Sequence, residues 1–112
     1  MNAATPVRAD AAPNRALFCA PYAYVPVVSA PYAYARGETG CDGGSSYYFT
    51  LKLINRAGNQ LGNEFSGGPL SSSAYFETAW IVCAGAYVRS FLYINDSGAG
   101  RSDTSGENPY CA

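Results

Sequence analysis

The sequence predicts an all-β fold, a small antiparallel β-sandwich or open barrel with two disulfides and a flexible N-terminal arm. Three observations predict it. Strand-length runs alternating apolar and polar residues recur between Gly-, Ser- and Asn-rich breaks, and no helical period appears. Seven prolines and twelve glycines punctuate 112 residues. Four cysteines stand at wide spacing without a C-x-x-C pair or a single histidine, which removes zinc-site spacing and leaves a disulfide framework.

Residues 1–16 are rich in Ala, Pro and Asn and lack apolar periodicity, so they are expected to form the arm, and 17–112 the single disulfide-bonded domain. Next comes an imperfect duplication: Ala20-Pro21-Tyr22-Ala23-Tyr24 recurs as Ala30-Pro31-Tyr32-Ala33-Tyr34. Prolines at 21, 26 and 31 forbid a helix and an interior strand, so an edge strand or polyproline-like stretch is expected. Residues 36–46 read as a Gly-rich turn. The run from Tyr47 to Ile54 is a strand with Tyr47, Phe49, Leu51 and Leu53 on its core face. Asn55 to Asn59 has turn chemistry, with Gly58 suited to positive φ; Gln60 to Phe65 returns as a strand, and Ser66 to Ser73 reads as a loop.

A hairpin is expected from Ala74–Cys83 and Ala86–Ile94 around Ala84-Gly85. It would put Phe76, Thr78, Trp80, Val82, Tyr87, Arg89, Phe91 and Tyr93 on one aromatic face and a mostly aliphatic set on the other. Phe76, Trp80 and Phe91 are expected in the core. Were the aliphatic face buried instead, Trp80, Tyr87, Arg89, Phe91 and Tyr93, extended by Tyr48 with Lys52, would form an exposed patch with an Arg–Trp cation–π pair. Residues 95–108 read as a polar loop, and Cys111 ties back the tail. Of the three disulfide connectivities, Cys19 with Cys41 and Cys83 with Cys111 is preferred because neighbouring pairs close short loops; the other two stay open.

Composition narrows function. Only 13 % of residues are charged, about half the usual share. The net charge is −1, and no Lys/Arg cluster in the sequence suits a phosphate backbone, so nucleic acid is not an expected partner. No apolar run reaches the length of a membrane span. Disulfides require an oxidising compartment, so the chain is expected to be secreted; its N-terminus lacks a signal layout, which on this reading has been removed. Without histidine the Ser/His/Asp and Cys/His nucleophile arrangements cannot form, and the carboxylates fall mostly in turn-like segments, so no catalytic residue, metal or cofactor is assigned. Asp96 and Glu107 match the ends of an EF-hand loop, but Gly98, Gly100 and Arg101 fail its interior.

The unusual feature is ten tyrosines. Tyrosine brings flat apolar area and a polar tip at small entropic cost, a composition typical of binding surfaces. The candidate binding residues are Tyr22, Tyr24, Tyr32, Tyr34, Trp80, Tyr87, Arg89 and Tyr93. The leading expectation is a secreted, non-enzymatic binding or assembly module engaging another extracellular protein. The alternatives are an inhibitor of an extracellular hydrolase and a glycan-binding module.

Overall fold

A computed structural model describes residues 19–42, 46–96 and 98–112. The arm expected over residues 1–16 lies outside the described residues. The rest is an antiparallel sandwich of two sheets. The first contains β1 (Cys19–Ser29), β2 (Tyr32–Cys41), β5 (Ala74–Glu77) and β6 (Ile81–Val82); β2 is central, with β1 on one side and β5 then β6 along the other. The second runs in the order β4 (Gln60–Leu70), β3 (Tyr47–Asn55), β7 (Val88–Asp96), β8 (Ala99–Thr104), and a short 3-10 turn at Pro109–Cys111 ends the chain. No helix among the described residues is long and apolar enough to cross a membrane.

The period-two pattern of β3 is what the core uses. Tyr47, Phe49, Leu51 and Leu53 point inward with Val88, Leu92 and Ile94 of β7. They meet Cys19, Ala33, Ala35, Phe76 and Ile81 from the first sheet and Cys83 just after β6, with Phe49 and Phe76 stacked at 3.9 Å between centroids. Small residues on β2 let the sheets approach: a Cβ on Gly37 would lie 3.1 Å from Leu92 Cδ2. Buried hydroxyls bridge the layers. Ser90 Oγ accepts from Arg36 N at 3.0 Å, while Tyr47 Oη donates to Ser72 O at 2.8 Å and lies 2.7 Å from Thr39 Oγ1.

β1 is an edge strand, as its prolines require, and its open edge is covered from the second sheet. Asp96 Oδ2 accepts from Cys19 N at 2.7 Å, Asp103 Oδ2 accepts from Ala23 N at 2.7 Å, and Asn108 Nδ2 donates to Pro26 O at 2.9 Å. Pro21 has no N–H to offer. The register slips between Tyr24 and Val27, and Arg36 Nε donates to the bulge carbonyl of Val25 at 2.8 Å. Both disulfides form in the preferred pairing. Cys19 and Cys41 face each other across the β1–β2 ladder, and Cys83 reaches Cys111 beside the β1–β2 turn, where Cys83 N donates to Pro31 O at 2.8 Å.

Several expected boundaries are corrected. The Gly-rich stretch from Arg36 is strand as far as Cys41, and Ser66–Leu70 continues β4 rather than opening a loop. Asp96 ends β7, and the expected polar loop contains β8. The largest correction is the hairpin around Ala84-Gly85, which does not form. Those residues do turn, with Ala86 N donating to Cys83 O at 2.9 Å, but the turn is a corner between sheets: β5 and β6 pair with β2, and β7 pairs with β3 and β8. Alternation tells which residues share a face, not which strand lies alongside. A segment crossing from one inner face to the other satisfies the same pattern.

Candidate functional site

The outer face of the first sheet gathers six of the aromatic residues that the core leaves out: Tyr22, Tyr24, Tyr32, Tyr34, Tyr75 and Trp80. Four cross-strand rows build it from the β-ladders. Tyr22, Glu38 and Tyr75 form one row, and Tyr24, Arg36 and Glu77 the next. Val27 pairs with Tyr34 beside Trp80, and Ser29, Tyr32 and Val82 complete the face. Trp80 is 54 % exposed and Val82 64 %, and Tyr22, Tyr24, Tyr32 and Tyr75 are exposed as well.

A bulge places Trp80 there. Glu77 opposes Arg36 and Ile81 opposes Ala33, so three residues, Thr78 to Trp80, stand against two on β2. Thr78 keeps its place in the ladder, its N donating to Ala35 O at 3.0 Å and its Oγ1 accepting from Ala35 N at 2.9 Å. The extra residue follows it and reverses the inward parity that Phe76 and Thr78 had set. Trp80 is thus turned outward onto Tyr34, ring edge to face at 4.9 Å and 88°.

The polar groups on this face are tied to one another. Tyr75 Oη donates to Glu77 Oε2 at 2.9 Å, and burial together with that bond raises the Tyr75 pKa. The Glu38 carboxylate beside it holds the Tyr24 phenol pKa above the ordinary value. Arg36 is fixed on Val25 O, its guanidinium carbon 6.0 Å from the Tyr24 ring centre. Tyr75 is therefore oriented on Glu77 before any partner arrives. Trp80 stands between two grooves, one of about 350 Å³ with Ser29 and Tyr32, the other of about 330 Å³ with Gly62, Asn63 and Ile81.

Of the residues singled out from sequence, Tyr22, Tyr24, Tyr32, Tyr34 and Trp80 come together here. Tyr87, Arg89 and Tyr93 do not. Arg89 and Tyr93 lie on the outer face of the second sheet, where Tyr93 lies against Gly100, and Tyr87 precedes β7 with Arg56 above its ring at 3.9 Å. The expected shared aromatic face is therefore split. Phe76 is buried as expected, Trp80 is not, and Phe91 is only half-buried outside the core. The expected Arg–Trp pairing is replaced by Arg56 over Tyr87. Sequence reasoning missed Tyr75, Arg36, Glu38, Glu77 and Val82. Alternation around Phe76 would have found Tyr75, because a buried Phe76 turns both of its neighbours outward.

Among the described residues no group of three or more potential metal ligands gathers. Asp96 and Asp103 both accept from β1 amides. Compared with protein-family models, curated proteins and solved structures, the chain matches none.

Proposed function

We propose that this chain is an extracellular, non-catalytic binding module that docks another extracellular protein on the outer face of its first sheet. The observation that carries the reading is a single sheet face on which Tyr22, Tyr24, Tyr32, Tyr75, Trp80 and Val82 are all exposed although the sandwich core is filled without them. Aromatic surface gathered on one side of a small domain marks an interaction site more often than chance exposure does. The Tyr75 hydroxyl is already held by Glu77, so less freedom of that side chain is lost on docking. Two disulfides support an oxidising, extracellular setting.

The test compares the protein with a Tyr22→Ser/Tyr32→Ser/Trp80→Ser variant of unchanged urea midpoint, both immobilised against culture fluid of the source organism. The expected result is one or a few proteins retained by the parent and lost by the variant, each then binding the isolated parent directly. Identical retention by both would overturn the proposal.

A second reading, glycan binding, is favoured by the position of Trp80 between two grooves, since an exposed indole flanked by clefts can stack on a sugar ring. Glycan-array signals that vanish with Trp80→Ala and survive Tyr22→Ala would establish it in place of protein docking.

A further inference from the structure

We infer that the outer face of the second sheet holds a separate site for an acidic sugar, one whose ring carries a carboxylate or a sulfate. This goes beyond the docking face of the first sheet and does not depend on it. The site is a groove of about 470 Å³ at the end of the sheet next to the β3–β4 turn, within the usual range for small-molecule sites.

The groove is built on a two-by-two arrangement of side chains. Lys52 opposes Phe91 and Ile54 opposes Arg89 across the β3–β7 ladder, so the two cations lie on one diagonal and the two apolar side chains on the other. Diagonal neighbours in a sheet are about 7–8 Å apart, within reach of long side chains, so one oxyanion can be approached by both Lys52 and Arg89. Gln60 and Thr104 supply an amide and a hydroxyl at the sides, and Arg56 closes the end.

Charge supplies the second argument. Three of the chain's seven basic residues line this groove, and no acidic residue does, in a protein whose net charge is −1. Beside the groove, Glu107 is engaged by Arg56 through two hydrogen bonds of 2.9 Å and lies 4.0 Å from Arg89 Nε. That leaves Lys52 without an ion pair among the described residues and Arg89 Nε buried without a hydrogen bond, although Arg89 Nη2 is anchored on Arg56 O at 2.7 Å. Three cations with one carboxylate paired among them leave an excess of positive charge that is complementary to an anion.

The rest of the groove narrows the class. Phe91 and Ile54 offer apolar area to the C–H face of a ring, while Gln60 and Thr104 suit its hydroxyls. An extended acidic peptide is less well served. On the face of a sheet the backbone groups are already paired between strands, so a peptide main chain would find no ladder to join.

The test is calorimetric titration at low salt with trigalacturonate, with a sulfated heparin disaccharide, with neutral maltotriose and with a short poly-glutamate peptide. Binding of trigalacturonate or of the sulfated disaccharide is expected, and which of the two binds identifies the oxyanion. Lys52→Gln should weaken it about 10- to 100-fold, the effect of losing one charge-assisted contact, Lys52→Glu should abolish it, and Lys52→Arg should retain it. Lys52 is half-buried on the outer face of its sheet, so these variants should keep the parent's urea midpoint. The Tyr22/Tyr32/Trp80 variant should bind as the parent does, which separates this site from the docking face. Equal binding of maltotriose, binding of poly-glutamate alone, no binding of either acidic sugar at about millimolar concentration, or indifference to Lys52→Gln would each overturn the inference.

Discussion

At the scale of single residues, two glycines with the same backbone demand differ in surroundings. Gly58 (φ +90°) and Gly62 (φ +62°) both occupy the left-handed region, but a Cβ at Gly58 meets nothing within 4 Å while one at Gly62 falls 2.6 Å from Ile81 Cγ2. Gly58→Ala should therefore cost about 1–2 kcal/mol, the backbone penalty alone. Gly62→Ala adds a collision with a buried side chain and should cost about 2–4 kcal/mol, read as a lower urea midpoint. Charge at the same end of the molecule makes a prediction in pH. The hydrogen bonds from Arg56 lower the Glu107 pKa below its ordinary value. A carboxyl depressed on folding contributes stability above its unfolded pKa and loses it as pH falls through the folded one. Glu107→Gln should thus be the less stable protein at pH 7, and its stability should converge on the parent's in acid. A gap that persists below that window would mean that Glu107 acts through packing rather than charge.

At the scale of elements, the β1 edge is protected by side chains rather than by another strand. Asp103→Ala removes the acceptor of Ala23 N, and a hydrogen bond to an ionised group is worth about 1.5–3 kcal/mol. The variant should lose stability of that order and also begin to self-associate, which sedimentation velocity would detect, because an uncovered edge recruits other strands. How far the elements could be read from sequence follows from the same local physics. β3 was legible because both its faces alternate cleanly, and the edge position of β1 because Pro21 and Pro26 exclude the interior. The second half of β4 and all of β8 were hidden because Ser66-Gly67-Gly68-Pro69 and Ala99-Gly100-Arg101-Ser102 have turn-like composition, yet lie on edge strands where one side of the ladder is open. The bulge at Ala79–Trp80 had no composition signal either. One inserted residue broke the alternation and carried Trp80 from its expected core position to the surface.

On the scale of the whole molecule, the two cross-links close loops spanning 22 and 28 residues, each worth about 3–4 kcal/mol in the chain-entropy description. Replacing Cys83 and Cys111 together by Ser should cost that amount, and full reduction should cost more than either pair alone; chemical denaturation with and without reductant measures both. The pairing was preferred from spacing. The candidate surface was only half legible, because Tyr22, Tyr24, Tyr32 and Tyr34 alternate along one hairpin, whereas which strand lies beside β2 depends on contacts distant in sequence. Tyr75 and Val82 join the face through those distant pairings, and Tyr87, Arg89 and Tyr93 leave it for the same reason.

The two cross-links do not interleave: one closes before residue 42 and the other opens at residue 83. Between them, only the backbone joins the two halves. A single cut in the exposed Ser71–Ser73 tract would therefore yield two chains, one bearing β1 to β4 and the other β5 to β8, each keeping its own cross-link. They would be held together by the pairing of β2 with β5 and β6 and of β3 with β7. Such a nicked protein would be a heterodimer whose stability rises with concentration, and the Trp80 face would exist only while both pieces remain assembled.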